Sequence, residues 1–545
     1  FRGDLLLNNV GTSHIYIAYN SAGNKLDGDL TANLTASSRN IYLSTTSISD
    51  FTIDGDVNIL SNSDADNSNF YLGVSGDVTI GGRFDFEQLS TGDNAYCYVA
   101  QGTDSQVEIN GVTHVVNNSG GVTKRFYLGE NGDVVFNDSL IIENNSGSTN
   151  NEIYCNNSVN SSNEYNNHIL LTQSNVDGDG ISFGRSGGNG TLATTKLVSI
   201  SPDGFVAGQL RFENFTQLGA TAQALTLSGD ALLYLNLSEW GGEISFVSPR
   251  ILTKETVYHE AASMVKSGSG NDGNHGGNLF EAGLDYDNRS TNYVQMGNVL
   301  PDSVIGDLNL ITSGSSYIDW AYNSLDNYVS GDVRMDIIGT GAGVSRLLLG
   351  NATGSSLLIE GSVVVLNQGD AASNHVYIGN QGDVVIEGDL SIDHEPTGLA
   401  GTVYVANGTN SNVEINGNLT LTQAAVGGNT KNSFIGNNGE SRNIYEDDII
   451  ISSTDVLSDG VSFGTNGGTG TLAATKTITI GVGGFVAGNL NFRNFNQIGA
   501  TAQTLNATGT TFFRNRDSDW GGDVYFVGGR MNTEGTMYRG TAYLE

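Results

Sequence analysis

Four features are scarce in this sequence, and each scarcity excludes a class of protein. Only 4 of the 545 residues are Pro and only 2 are Cys, so the chain is neither collagen-like nor held together by a disulfide framework. Lys and Arg number 23 against 58 Asp and Glu, and the formal net charge of -35 repels nucleic acid and anionic membrane surfaces. No stretch approaches the roughly 20 consecutive apolar residues of a membrane-spanning helix.

Glycine and apolar residues, by contrast, are plentiful. The sequence contains 74 Gly, 38% hydrophobic residues and 8% aromatic residues. This composition is too apolar for a disordered chain and indicates a folded protein that is rich in turns. The chain begins with Phe1, without an initiator Met or a signal peptide, and we expect it to be a piece of a longer protein.

The sequence repeats itself over about 300 residues. Residues 180–260 align without a gap with residues 460–540, and about half of the positions are identical. The first copy carries about 26 extra residues in an Asn- and Ser-rich stretch around 144–167. We therefore predict two tandem units, residues 1–303 and a truncated second unit at 304–545, as parts of one continuous fold.

A shorter repeat of about 27 residues lies inside each unit. Triplets such as Ile41-Tyr42-Leu43 recur every 26 to 29 residues, and Gly-Asp steps such as Gly55-Asp56-Val57 fall between them. Each alternating run has about 3 to 5 residues, which predicts a short strand. Gly, Asn, Asp and Ser fill the gaps, and these residues suit corners of positive φ.

Three short strands in each repeat predict an all-β fold. The expected architecture is a right-handed parallel β-helix (β-solenoid) of about 20 coils, each of about 27 residues. Successive coils would hydrogen-bond to each other at about 4.8 Å and enclose one thin core. The scarcity of Pro agrees, because almost every N–H is needed between coils. The alternative is a string of β-sandwiches, which would have longer strands and a less regular repeat.

Several phrases of the sequence resemble very long repetitive surface proteins of gliding Bacteroidota. These phrases are GGNGTLATTK, GFVAG and NFTQLGATAQ, then Trp240-Gly241-Gly242 and, near the start, IAYNSAGNKLDGDL. The likeness covers essentially the whole chain. It implies a giant adhesin or fibre-forming β-solenoid protein that is exported by the type IX route to the cell surface, although the sequence contains no sorting domain.

No arrangement of residues in the sequence predicts catalysis. The 7 His residues are scattered outside any Ser/His/Asp or Cys/His pattern, so we expect them at ordinary surface positions. The Asp of each Gly-Asp step is expected to be a turn residue whose carboxylate accepts backbone N–H groups. We therefore predict that the protein is not an enzyme and needs no cofactor.

Three acidic clusters are examples of sites that could hold Ca²⁺ through oxygen ligands. They are Asp64-Ala65-Asp66, Asp177-Gly178-Asp179 and Asp517-Ser518-Asp519. Because neither the nonapeptide calcium roll nor the EF-hand loop occurs, we expect only weak, diffuse Ca²⁺ binding to the acidic surface. Cys97 and Cys155 replace apolar residues two coils apart, and we expect both to be small buried hydrophobes beyond disulfide reach.

The middle residue of the triplets is the main candidate for a contact site. The flanking residues of a triplet, such as Phe70 and Leu72, are expected to point into the core, so that Tyr71 points outward. One such tyrosine per coil would form an outward column that contacts sugar rings or a neighbouring chain. Two alternatives stay open: stacking between coils stabilises the solenoid, or an insertion loop covers the column. The candidates are Tyr16, Tyr42, Tyr71, Tyr98, Tyr127, Tyr154, Tyr377 and Tyr404, with Phe434 at a matching place and Asp319 and Leu348 as interruptions.

These observations predict a structural or adhesive extracellular repeat protein, a rigid stalk or sticky fibre segment for attachment to a surface or to cells. Duplication favours this function, because a multivalent surface gains from copying whereas a catalytic site is needed once. The alternative is a carbohydrate-active or carbohydrate-binding β-helix protein that acts on polysaccharide. The expected partners are copies of the same chain in a multi-chain appendage and glycans of a cell surface, but neither nucleic acid nor an inserted membrane.

Overall fold

The computed structural model is an all-β protein. It describes residues 1–11, 13–35, 39–63, 68–89, 91, 94–120, 123–146, 150–174, 180–340, 342–424, 430–454 and 460–545. Within these ranges the only helical segments are two single 3-10 turns, Arg185–Gly187 and Thr465–Gly467. Each turn of about 27 residues contributes short strands to parallel ladders, which confirms the predicted β-solenoid.

Contacts divide the chain into two compact units, Phe1–Ala261 and Ala262–Glu545. The boundary between the sequence repeats, at residues 303 and 304, is drawn from similarity alone and stays a prediction. In each unit the strands of a turn lie on three faces, which we call face 1, face 2 and face 3 in chain order.

Among its described residues, the first unit has ten face 2 strands that follow one another in a single parallel sheet. Its face 1 strands are Leu5–Asn9, Leu30–Leu34, Val57–Ser61, Phe84–Gln88, Thr113–Asn117, Leu140–Asn144, Ile169–Gln173, Val198–Phe205, Gln223–Thr226 and Ile244–Ser248. Its face 2 strands are Ile15–Ile17, Ile41–Leu43, Phe70–Leu72, Tyr96–Val99, Arg125–Leu128, Glu152–Cys155, Gly180–Phe183, Gln209–Glu213, Leu232–Asn236 and Arg250–Lys254. Its face 3 strands are Asn24–Leu26, Asp50–Ile53, Asp77–Ile80, Gln106–Ile109, Asp133–Phe136, Ser162–Tyr165, Asn189–Leu192, Phe215–Gln217, Glu239–Trp240 and Val257–Tyr258.

In its described ranges the second unit repeats this order, with eleven face 2 strands in one parallel sheet. Its face 1 strands are Ala262–Lys266, Leu284–Asn288, Leu308–Thr312, Val333–Ile337, Val363–Asn367, Leu390–His394, Leu419–Gln423, Ile449–Ser453, Ile478–Phe485, Gln503–Asn506, Val524–Val527 and Ala542–Leu544. Its face 2 strands are Asp272–Gly273, Tyr293–Gln295, Tyr317–Trp320, Val344–Leu349, Ser373–Ile378, Ala400–Val405, Thr430–Ile435, Gly460–Phe463, Asn489–Arg493, Phe512–Arg516 and Arg530–Glu534. Its face 3 strands are Leu279–Phe280, Ser303–Val304, Asn327–Val329, Ser356–Ile359, Asp383–Ile386, Asn412–Ile415, Arg442–Tyr445, Thr469–Leu472, Phe495–Gln497, Asp519–Trp520 and Met537–Tyr538.

The extra residues of the first copy form one additional turn. In the first unit, one face 2 strand contains Tyr98 and a later one contains Ser182. Two further face 2 strands lie between them, Arg125–Leu128 and Glu152–Cys155. The second unit has only Thr430–Ile435 between the matching strands of Tyr404 and Ser462. The surplus in the sequence is therefore a whole turn of the solenoid.

The core of each unit lies inside its turns, where alternate residues of most strands are buried. Ile41 and Leu43 are fully buried while Tyr42 between them is partly exposed, which confirms the predicted direction of the triplets. Cys97 and Cys155 are free and buried, as expected, and burial raises the pKa of both thiols.

The Gly-Asp steps connect each turn to the next. The Oδ1 atom of Asp29 accepts the backbone N–H of Asp56 at 2.8 Å, and Oδ1 of Asp56 accepts that of Arg83 at 2.8 Å. A Cβ atom on Gly55 would meet Oδ1 of Asp29 and would lie 2.8 Å from the carbonyl carbon of Gly28. The expected role of Asp as an acceptor of backbone N–H groups is confirmed, and the neighbouring Gly leaves the space that the carboxylate of the preceding turn occupies.

A left-handed residue follows the face 2 strands at the corner of the turn. In successive turns it is Ser44, Gly73, Ala100 and Gly129, with φ of 54°, 68°, 51° and 83°. This backbone conformation suits Gly best, but later turns of the same unit hold it with larger residues, Leu237 at φ 51° and Glu255 at φ 48°.

Candidate functional site

The predicted tyrosine column exists on face 2 of the first unit. Parallel pairing without offset places one tyrosine directly above the next from turn to turn. Neighbouring ring centroids are 4.6 to 5.1 Å apart and the rings are within 15° of parallel. We call this set the tyrosine column: Tyr16, Tyr42, Tyr71, Tyr98, Tyr127 and Tyr154.

Asparagine side chains fix the hydroxyl groups at one end of the column. Nδ2 of Asn40 donates to the Tyr42 hydroxyl at 2.6 Å, and Nδ2 of Asn69 donates to the Tyr71 hydroxyl at 3.2 Å. Oδ1 of Asn40 in turn accepts the backbone N–H of Asn69 at 3.1 Å. Burial raises the pKa of the Tyr71 phenol to about 12, so the Tyr71 hydroxyl stays protonated at neutral pH.

The two ends of the column differ. At one end Tyr16 is 50% exposed and packs edge-on against Tyr19 at a centroid distance of 5.6 Å. At the other end Tyr154 is only 4% exposed, and the guanidinium of Arg185 lies 5.1 Å from its ring centroid. Arg185 also forms an ion pair with Glu152 at 2.7 Å, so this end of the column is covered.

The second unit contains a shorter column. Tyr377 and Tyr404 stack at 4.8 Å, and Phe434 continues the stack at 5.4 Å. Asp319 and Leu348 occupy the two preceding turns at the same register, as expected from the sequence. Beside this column lies a chain of amides in which each Nδ2 donates to the Oδ1 of the preceding turn at 2.6 to 2.8 Å. Its members are Asn351, Asn380, Asn407 and Asn437.

Glu130 is the second residue after a face 2 strand of the first unit. The asparagines of the amide chain occupy this same position in the turns of the second unit. Its carboxyl group is half-buried beside Tyr98 and Tyr127, and burial raises its pKa to about 7. Its Oε2 atom has no hydrogen-bond partner among the residues that the structure describes. Nothing in the local sequence singles out Glu130; only the comparison of corresponding turns in the two copies does.

The stacked geometry limits what the tyrosine column can contact. Each inner ring has its two faces against the rings above and below, so a sugar cannot stack on those faces. The terminal ring of Tyr16 and the ring edges and hydroxyl groups of the partly exposed Tyr42, Tyr71 and Tyr98 are available to a partner, whereas Tyr127 and Tyr154 are buried. Stacking between turns, which the sequence left as an alternative, is present; the prediction that the column contacts a partner stays a prediction.

A second candidate site, which the sequence did not reveal, is a groove of about 500 Å³ on face 1 of the first unit. Nε2 of His114 lies 3.0 Å from Oε1 of Glu143, and its Nδ1 lies 3.8 Å from Oδ1 of Asp85. Nη2 of Arg83 also contacts Asp85 at 3.0 Å. Asp85, His114 and Glu143 follow one another at intervals of 29 positions, and only the stacking of successive turns brings them together.

The corresponding face of the second unit has a groove of about 390 Å³ with different residues. Arg289 pairs with Asp287 at 2.6 Å and Arg334 pairs with Asp336 at 2.9 Å, so the groove is lined by neutralised pairs. The His114 arrangement is not present in this groove.

One histidine does not lie where the sequence predicted. His394 is fully buried, so the expectation of surface histidines is wrong for it. It is the last residue of the face 1 strand Leu390–His394, at an alternate position that points into the core, next to Nδ2 of Asn367 at 3.1 Å. Burial lowers its pKa to about 3, so His394 is neutral at physiological pH.

The described part of the chain contains no group of three or more His, Cys, Asp or Glu side chains that could hold a metal ion. Asp64-Ala65-Asp66 and Asp177-Gly178-Asp179 lie outside the described residues. In the third acidic cluster, Asp517 pairs with Arg516 at 3.2 Å and Asp519 with Arg539 at 2.5 Å. Weak, diffuse calcium binding stays a prediction.

No family model, curated protein or solved structure matches this chain. In the ranges that the structure covers, no helix has the length and apolar character needed to cross a bilayer.

Proposed function

We propose that this chain is a structural and adhesive segment of an extracellular repeat protein at the cell surface. It would act as a stalk or fibre segment that presents columns of side chains to a glycan, to another surface or to further copies of itself. The location and the likeness to adhesins come from the resemblance of its sequence phrases to surface proteins of gliding Bacteroidota.

One observation carries this proposal: the two units build the same type of turn and use it to hold aromatic columns in fixed positions. In the first unit the column extends over six turns, and in the second over three. Regularly spaced groups on a stiff frame favour multivalent contact, because many weak contacts made together bind more strongly than one.

Retention of cells or glycans on the immobilised chain tests the adhesive function. We expect retention by the wild type and weaker retention by the pair Tyr71→Phe and Tyr98→Phe, which removes two hydroxyl groups and leaves the rings stacked. Thermal unfolding of the same variant shows whether the fold is kept. If no cell surface or glycan is retained by the wild type, the adhesive proposal is wrong.

The second candidate function is that of a carbohydrate-active protein, favoured by the groove that holds Asp85, His114 and Glu143. A histidine between two carboxylates is a common arrangement for proton transfer. Incubation with polysaccharides and assay for new reducing ends or unsaturated products tests this function. Product release that is lost in His114→Ala would replace the structural proposal with an enzymatic one.

A further inference from the structure

A cluster of arginines lies on the last three face 2 strands of the second unit. It is a local concentration of positive charge on a protein with only 23 Lys and Arg and a net charge of -35. Arg493, Arg514 and Arg516 occupy outward positions that alternate with buried residues, and Arg530 is exposed on a strand without a buried residue. We call these residues the arginine patch: Arg493, Arg514, Arg516 and Arg530.

Most of the patch is not neutralised by the protein itself. Among the described residues, only Arg516 of the four forms ion pairs, with Asp517 at 3.2 Å and Glu534 at 3.6 Å. Nε of Arg493 is buried and has no hydrogen-bond partner within the described ranges. By contrast, Arg334 of the same unit pairs with Asp336 of its own strand at 2.9 Å.

Phe512 holds two of these guanidinium groups in place. The guanidinium carbons of Arg514 and Arg530 lie 4.1 and 4.4 Å from the centroid of the Phe512 ring. A guanidinium that stacks on a ring keeps its N–H groups, which lie in its own plane, available for acceptors. Two shallow grooves of about 340 and 170 Å³ meet at Arg514 and Arg516.

The first unit shows that the fold does not require this patch. At an offset of 280 residues, Arg493, Arg514 and Arg516 correspond to Glu213, Tyr234 and Asn236. There the nearby Arg211 pairs with Glu213 at 3.3 Å and lies over the Tyr234 ring at 5.0 Å. The same face is thus neutralised in one copy and left positive in the other.

We propose that the arginine patch binds an anionic polysaccharide, a chain of sugars that carries carboxylate or sulfate groups. Guanidinium groups bind such anions through paired N–H donors, and the amides of Asn491 and Asn532 in the same grooves can bond to sugar hydroxyls. The inference rests on the proposed adhesive function and names the class of glycan that this segment recognises.

A thin charged polymer fits the patch better than a second copy of the chain. A second copy would bring its own charge of -35 against an equally acidic surface. A single polysaccharide strand contacts only the patch. The acidic residues of the protein that lie more than about 8 Å from it are screened at physiological ionic strength, so they repel it little.

The test compares the wild type with a variant that carries the residues of the other copy, Arg493→Glu, Arg514→Tyr and Arg516→Asn. Because Glu213, Tyr234 and Asn236 occupy this register in the first unit, the substitutions suit the fold. The matched control, Arg442→Glu with Arg289→Tyr and Arg334→Asn, makes the same change in net charge outside the patch. Binding of polygalacturonate, dextran sulfate and neutral dextran to each immobilised chain is measured at several salt concentrations.

We expect the wild type and the control to bind at least one charged polymer and not neutral dextran, with affinity that falls as salt increases. The patch variant should bind at least about tenfold more weakly. The response to polygalacturonate and to dextran sulfate separates carboxylate from sulfate recognition. Equal binding by the patch variant and the wild type, or no binding of either charged polymer by the wild type, would overturn the patch proposal. So would self-association of the wild type that the patch variant loses. Retention of cells by the same immobilised chains tests the adhesive function separately.

Discussion

A missing side chain sets how closely two turns can approach in the first unit. The hydrogen atom of Gly55 leaves room for the carboxylate of Asp29, which accepts a backbone N–H from the turn above. Gly55→Ala should lower the free energy of unfolding by about 1–3 kcal/mol, because the new methyl group displaces either the carboxylate or the backbone of Gly28. Urea unfolding of the variant measures this loss.

Gly120→Ala is the matched control in the same unit. A Cβ atom at Gly120 meets only Cγ2 of Thr91, at 4.0 Å, and the residue is exposed. Its free energy of unfolding should stay within about 0.5 kcal/mol of the wild type. An equal loss in the two variants would contradict the role assigned to Gly55.

Buried His394 makes the stability of the second unit sensitive to acid. Its pKa falls from an ordinary 6.5 in the unfolded chain to about 3 in the folded unit, so folding favours the neutral ring. The stability that neutral His394 contributes is present above pH 6.5 and is lost as pH falls from 6.5 towards 3, at up to about 1.4 kcal/mol per pH unit. Urea unfolding at pH 7 and pH 4 measures the slope.

The variant His394→Gln isolates this contribution. Gln423 occupies the same position in the next turn, so a glutamine side chain fits there and does not titrate. The variant should lose less stability than the wild type between pH 7 and pH 4. Asp302 has the opposite effect on stability. Burial raises its pKa to about 6, so the protonated carboxyl favours folding in acid, and this contribution to stability is lost as the pH rises through 6. Identical acid slopes for the wild type and His394→Gln would show that His394 is not buried.

At the scale of the element, the tyrosine column is a unit of stability as well as a candidate contact surface. Tyr98 stacks on Tyr71 at 4.8 Å and on Tyr127 at 5.0 Å. Tyr98→Ala should lower the free energy of unfolding by about 2–3 kcal/mol, because it removes two stacked pairs and leaves a gap in the middle of the column. Thermal or urea unfolding measures the change.

Tyr98→Phe is the control that keeps both stacks. Phe434 occupies a matching place in the column of the second unit, so a phenyl ring fits. We expect a change of less than about 1 kcal/mol in Tyr98→Phe. Equal destabilisation by Ala and Phe would assign the stability to the hydroxyl group, and no effect of Ala would remove the structural role of the column.

The sequence was sufficient for the strands, the direction of the triplets and the position of the tyrosine column, because all three follow from period-2 alternation and a repeat of fixed length. It was not sufficient for the environment of single polar residues. His394 and Asn367 look like surface residues in the sequence, yet the alternation of their strands turns both inward. The groove around His114 was missed because its residues meet only through the register between turns.

For the molecule as a whole, the dominant electrostatic quantity is the net charge of -35. Repulsion among these charges opposes folding, and dissolved ions screen it. Salt should therefore raise the melting temperature of the protein, by about 2–4 °C for each kcal/mol gained. If divalent ions bind diffusely, calcium and magnesium should raise the melting temperature equally at matched ionic strength.

Calorimetry with and without a chelator checks this expectation. Removal of trace calcium should leave the melting temperature unchanged once ionic strength is restored. A calcium effect that saturates near one ion per chain, and that magnesium does not reproduce, would contradict diffuse binding. It would direct attention to the acidic clusters at residues 64–66 and 177–179.

The additional turn in the first unit has a consequence for how such chains change length in evolution. An insertion of one complete turn, as at Glu152–Cys155, leaves the following face 2 strand in register with its neighbour. An insertion of half that length would rotate the following strands onto other faces and bury polar residues. The length of such a β-solenoid therefore changes by whole turns, and each added or lost turn changes it by about 4.8 Å.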